Sequence, residues 1–540
     1  MGRLATWARD DRVVILALLA LAAVLRFPDL PTRGTWDADQ GHDMLVLRAL
    51  VRDGAVPLLG PPTSIGDVHH GAWYYYLLAP AAALGGAAPE AVVGAIALAG
   101  VAAVGVTWWV GRLLGGAVTG LVAGLLMAVS VTAIEESTFI WNPNLIPLAS
   151  ALALAGTWRA WSTRRARWWL LAVLGVVVTM QCHVLGVVLL PPILGVLLAD
   201  ARRRPAGQER DSVVRAGLGG VAILVLGYVP LVVNELTTGS SETRAFLDYL
   251  REGGDPVALD PLARILFVGI RNLAWPLTGL VTDALGAAVA ASAAVIAILA
   301  WRSRAGSASP ANPASPASPA GSESPAGSAS PAERTAVRWM AATLAWSTIV
   351  LALAAPSLAT VTPGLPNDHY HSFLDPLVFV VVGLGAAALW RAGGERDQTV
   401  RALARGAAAI GVGALVAFNA VRWPPPVAPD GGWPAARDAA VRIDGWLDGR
   451  PVALLGLPEL KPADAIGFPL ADRGVRIVPA AEAQALVIVC DRLFEAAIGA
   501  ACGGPAEGAA VGSPGRFAML VDRFDVSDRT SVSVYLARDR

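Results

Sequence analysis

Asp37, Asp39 and Asp43 share the run Trp36-Asp37-Ala38-Asp39-Gln40-Gly41-His42-Asp43 with the imidazole of His42, directly after the first hydrophobic stretch of the chain. Carboxylates packed this closely beside a membrane repel one another and pay a desolvation cost. A chain that keeps them there has a use for them: a carboxylate abstracts a proton or holds a cation, and a histidine donates to a phosphate at neutral pH. The run reads as a catalytic loop, followed by the helix-like Met44 to Leu50.

Further polar residues of this kind recur along the chain. His69-His70 precedes the aromatic edge Trp73-Tyr74-Tyr75-Tyr76, and serves either as a pair of ligand-binding groups or as an interfacial pair. Glu136 and Asn142 lie in Glu135-Glu136-Ser137-Thr138-Phe139-Ile140-Trp141-Asn142-Pro143-Asn144, where Asn142-Pro143 also suits a helix start. Gln181 and His183 sit between two short apolar runs, and a membrane histidine is by default a hydrogen-bonding group with a task. Asp368-His369-Tyr370-His371 offers two imidazoles at a spacing that is weak evidence for a metal.

The elements that position these groups are apolar. Of 540 residues 55% are hydrophobic and 16% charged, and mean hydropathy is +0.55, which marks an integral membrane protein. At about 17 to 25 residues per crossing, spans are expected near 12–28, 90–111, 117–134, 144–161, 168–182, 184–199, 216–235, 284–301, 339–359, 373–391 and 404–421. Arg3, Arg9 and Arg12, then clusters at 159–167, 202–215, 302–338 and 391–405, fall on the cytoplasmic side under the positive-inside rule, with the N-terminus inside. Consistency with those clusters makes 73–84 a membrane-dipping or interfacial segment, and 264–280 reads the same way because Arg271, Asn272 and Pro276 interrupt it. All the polar sets above then face outward.

Residues 303–332 form a Ser/Ala/Pro/Gly linker too poor in apolar bulk to fold. From about residue 422 the pattern turns to that of a small external α/β domain, with a helix at 434–448 and strand-like runs at 451–457, 474–478, 485–490 and 530–537. Cys490 and Cys502 lie there and pair if the domain is exported, whereas Cys182 reads as packing. Forty-two basic residues balance 42 acidic ones, so nothing points to a nucleic-acid partner, and the lack of a Gly-rich phosphate loop argues against an ATP-driven pump. Lys461 is the single lysine of the chain.

A first span ending Leu25-Arg26-Phe27-Pro28, an outer Asp-led loop, the Trp141-Asn142-Pro143-Asn144 segment and many spans before an external domain resemble the GT-C membrane glycosyltransferases. The likeness is to the protein O-mannosyltransferases and lipid A aminoarabinose transferases, over residues 10 to 420. It implies a mainly α, polytopic fold of about eleven transmembrane helices, with a catalytic domain at 1–421 and an external domain at 422–540. It further implies transfer of a sugar from a polyprenyl-phosphate donor to a glycan, lipid or protein acceptor at the outer membrane face, with inversion. Asp39 takes the place of the family's catalytic carboxylate. His42 and His69 stand where members carry basic residues that meet lipid phosphate, and Asn142 where an Asp is common. His369 or His371 lies where a later outer loop approaches the phosphate, and His70, Asp37, Asp43, Glu136 and His183 complete the expected binding set. No metal site is assigned, and a divalent cation remains open as a cofactor. A polar transporter and an inactive lipid-sugar-binding scaffold are the alternatives.

Overall fold

A computed structural model of the chain describes residues 11–63, 68–252, 259–282, 284–304, 330–359, 368–392, 398–459, 461–495, 502–512, 517 and 519–537. Most of the 303–332 linker, together with Arg3 and Arg9, lies outside the described residues.

Each of the eleven apolar runs folds as helix. Among the described residues seven helical segments are long and apolar enough to cross a membrane: Pro89–Gly115, Val184–Arg203, Gln208–Thr238, Leu285–Arg304, Pro331–Ala354, His369–Ala392 and Gln398–Val421. The chain is therefore a multi-pass membrane protein. The other expected spans are the helices Asp11–Arg26, Ala117–Val129, Ile146–Thr163 and Trp168–Cys182, of 16, 13, 18 and 15 residues. At ~1.5 Å rise per residue, 16 residues reach only ~24 Å. Trp73–Leu84, read as membrane-dipping, is a helix of 12 residues, shorter still.

The ends of these helices are sorted by their ion pairs. Asp200, fully buried, accepts from Arg203, Arg204 and the Trp169 indole, while Arg204 also donates to the carbonyl of Arg164. Arg302 pairs with Glu333, which Arg391 also approaches at 3.4 Å. Buried ions persist only when partnered, so the arginines expected on the cytoplasmic side knit helix ends together there. Arg26 does comparable work elsewhere. Its buried guanidinium donates to the carbonyls of Met127, Ala128 and Ala133, some of them left open where the Ala117–Val129 helix stops.

The C-terminal region packs the Gly432–Leu447 and Asp464–Asp472 helices with a four-stranded sheet of order β1-β2-β4-β3: β1 Val452–Leu457, β2 Ala485–Asp491, β3 Met519–Asp525 and β4 Thr530–Leu536. β1 pairs parallel to β2, and the other pairings are antiparallel. The strand expected at 474–478 is not one. An isolated parallel bridge joins Ile477 to Val452 there. Cys490 and Cys502 form a disulfide.

Candidate functional site

The opening acidic run is a helix rather than a loop. Ala38–Arg48 is helical from its first residue, with Asp37 as N-cap: the Asp37 side chain accepts backbone N–H bonds, and Gln40 Oε1 accepts the Asp37 N–H at 2.8 Å. This reciprocal arrangement is a capping box. Gln40 then donates to the carbonyl of Ile140 at 2.8 Å, locking the helix to the segment that carries Trp141 and Asn142. On the other flank, Trp36 donates to Ala465 and packs its ring on Trp433 and Phe468 of the C-terminal region.

From this scaffold a row of side chains extends. The Trp141 indole lies close enough to the Asp39 carboxylate to favour its charged form. The Trp141 ring lies 4.3 Å from His369, His369 lies 5.4 Å from His183, and His183 lies 4.7 Å from His70. Tyr370 packs on both His183 and His369. Asp39, His70, His183 and His369 thus meet, although four separate segments supply them. Asn142 donates to the carbonyl of Cys182 and so ties the Trp141 segment to His183.

Asp39 is exposed, although protein atoms are dense around it. That surrounding protein raises its carboxyl above the ordinary value, against the opposing charge of Lys461. His70 is held well below its ordinary value by burial and by the neighbouring histidines, so it is a neutral imidazole. Its Nδ1 accepts the Val184 N–H at 3.3 Å, and His183 Nδ1 accepts the Leu185 N–H at 3.2 Å. Both rings therefore carry their proton on Nε2 and present it as a donor.

The remaining expected residues face other partners. His42 pairs with Asp464 at 3.2 Å, which raises it above the ordinary histidine value. The backbone N–H and Nδ1 of His69 meet Glu242. His371 is buried 3.8 Å from Asp375. Asp37 bridges Lys461 and Arg529, both at 2.8 Å, and these cations hold its carboxyl below the ordinary value despite burial. Glu136 follows the short Val131–Glu135 helix, its N–H bonded to the carbonyl of Thr132.

Asp43 is buried and accepts the hydroxyls of Tyr74 and Tyr75 at 2.7 and 2.8 Å. Burial pushes its carboxyl up to about 7. Because the folded value exceeds the ordinary 3.8, the folded chain binds the extra proton between those limits, and stability falls as pH rises from about 4 through 7. At ~1.4 kcal/mol per unit the group's contribution is on the order of 4 kcal/mol. Asp43→Asn is expected to flatten that slope in thermal unfolding of the detergent-solubilised chain; an unchanged slope would count against this assignment.

Three site neighbours escaped the sequence reading. Lys461, Asp464 and Arg529 come from the C-terminal region, and the lone lysine was the available signal. Arg271 is buried with Asn272 in the Pro261–Thr278 helix and donates to the carbonyl of Leu358, and that helix packs against the Asp368–Leu374 segment. Among the described residues only Cys490, Glu495 and Cys502 bring three metal-type ligand atoms within 4.8 Å, and those cysteines form the disulfide.

Residues 69–229 match the model of the dolichyl-phosphate-mannose-protein mannosyltransferases. No curated protein sequence matches the chain. The fold is similar to that of apo ArnT from Cupriavidus metallidurans, at 18% identity and TM-score 0.50, over 96% of this chain and 97% of that one. The same ArnT bound to undecaprenyl phosphate aligns at 17% identity and TM-score 0.47 over the same shares. The Archaeoglobus fulgidus oligosaccharyltransferase complexed with zinc and sulfate aligns at 11% identity and TM-score 0.48, over 89% and 68%. The matched segment contains His70 and His183, two members of the histidine row, and across nearly the whole chain the fold is similar to that of ArnT.

Proposed function

We propose that the chain transfers a sugar from a polyprenyl-phosphate donor to an acceptor hydroxyl at the extracytoplasmic membrane face, with Asp39 as general base. The observation that carries this reading is the continuous row Asp39–Trp141–His369–His183–His70, which sets a carboxylate at one end of a line of imidazoles. The acceptor oxygen attacks the anomeric carbon while its proton passes to the Asp39 carboxylate. The bond from that carbon to the phosphate oxygen breaks, and its electron pair leaves with the polyprenyl phosphate. Direct attack inverts the anomeric centre. Neutral Nε2–H donors on His70 and His183 suit the departing phosphate oxygens, since fixed donors in a partly water-excluded site act where charge develops. The matched family's own description, in which a dolichyl phosphate carries the sugar, supports this donor class.

A cavity of about 470 Å³ between the Ile146–Thr163, Leu190–Arg203 and Pro331–Ala354 helices is lined by Trp158, Trp161, Trp339 and Trp346. Trp346 donates to the carbonyl of Val188, five residues beyond His183, so this apolar space suits the tail of a lipid whose phosphate meets the row. The disulfide supports an oxidising compartment for the C-terminal domain, and the arginine clusters support a cytoplasmic N-terminus.

The test is a panel of polyprenyl-phosphate sugars offered to the purified chain with glycan, lipid and peptide acceptors, each with and without a divalent cation. Mass spectrometry of the acceptor should show one sugar added from one donor class; no addition from any donor would overturn the reading.

A further inference from the structure

Helix Ala38–Arg48 is held from the side by the C-terminal domain. A side chain at Gly41 would run into the carbonyl of Asp464 at 2.0 Å, so the domain's backbone lies directly on the helix that carries Asp39. The contact brings in Lys461. Its position is set by a turn in which its N–H bonds the carbonyl of Pro458, and Gly456 lacks the side chain that would clash with the Lys461 carbonyl. The ammonium then meets Asp37 at 2.8 Å, with the side chain 16% exposed. Asp37 is the N-cap and Asp39 lies two residues on, in the first turn of the same helix.

Resting on the glycosyl-transfer reading, we propose that Lys461 is a positioning residue of the site: the C-terminal domain delivers its ammonium, Asp37 clamps it, and it supplies the positive charge against which Asp39 works as a base. Several groups face Asp39. Asp37, His42 and Asp43 share its helix region, Tyr75 comes from Trp73–Leu84, Trp141 lies beside it, and Lys461 is a cation from the external domain. Burial and Asp37 push the Asp39 carboxyl up, and Lys461 is the largest opposing influence. Arg529, by contrast, acts on Asp37 and Asp491.

Neutralising Lys461 therefore raises the Asp39 carboxyl further, and the acid limb of the rate profile, which reports the ionised base, moves to higher pH. Lys461→Gln, or Lys461→Met as a second neutral variant, is expected to shift that limb up by about one pH unit, so that at a pH on the wild-type limb it runs about tenfold slower. At alkaline pH the rate recovers. Lys461→Arg restores the wild-type limb, and Arg529→Met leaves the limb in place although it cuts the neighbouring bridge. A Lys461 with only a structural role would lower the rate equally at every pH, and that result would overturn the proposal.

The second readout needs no turnover. Carbodiimide labelling of Asp39 in the full chain, followed by mass spectrometry across pH, should show its midpoint moving upward in the neutral variants by the same amount. If the wild type transfers no sugar yet the midpoint moves, the transfer reading fails and the Lys461–Asp39 coupling stands. If sugar is transferred and neither limb nor midpoint moves, the coupling fails.

Discussion

Asp39→Asn is expected to abolish sugar transfer, lowering kcat/KM by about 10²–10⁴-fold, the span associated with a positioned general base. The substitution keeps the shape of the side chain and leaves an amide oxygen facing the Trp141 indole. It leaves the Asp37–Gln40 capping box untouched, so the helix start is preserved. It also removes a carboxyl that burial disfavours in its charged form, so stability should hold or rise slightly. Transfer and thermal unfolding measured on the same preparation separate the two effects. Asp37→Asn offers the contrast: it breaks the bridges to Lys461 and Arg529, and should lose stability as well as rate. Asp39→Asn transferring sugar at the wild-type rate would mean that the base lies elsewhere.

The apolar runs were legible because a crossing helix is written locally, as a stretch of hydrophobic residues between basic clusters. Hence all eleven runs are helices, and four shorter ones only become apparent when their ends are located. The start of the Ala38–Arg48 helix was also written locally, in Asp37 and Gln40 three residues apart, but the acidic character of the run drew attention from its capping pattern. β3 was not legible: Met519 and Leu520 are both exposed, so the strand lacks the alternation that marks one buried face. The partners of Asp37 and His42 were beyond local reading altogether. They come from 424, 492 and 422 residues along the chain, and no pattern around Asp37 or His42 announces such contacts. Composition did mark one of them, since a single lysine in an arginine-rich chain is a departure from the bias that sets the rest.

His183→Ala is expected to lower kcat by about 10²–10³-fold, the loss typical for removing one donor to a developing oxyanion. His183 stands between His70 and His369 in the row, so its loss interrupts the line of donors at its middle. The local structural cost is the backbone bond from Leu185, worth about 1 kcal/mol, together with the ring contacts to His70, His369 and Tyr370 and the space the buried imidazole fills. A fall in kcat much larger than the fall in stability therefore reports on catalysis. The pH dependence tests what kind of donor the row provides. With its Nδ1 occupied by the Val184 N–H, neutral His70 donates without being protonated, and raising the pH removes nothing from it. The wild-type rate should stay level from about pH 7 to 9. A tenfold fall across that interval, lost in His70→Asn, would show that the imidazole acts as a cation, and the neutral-donor assignment would fall with it.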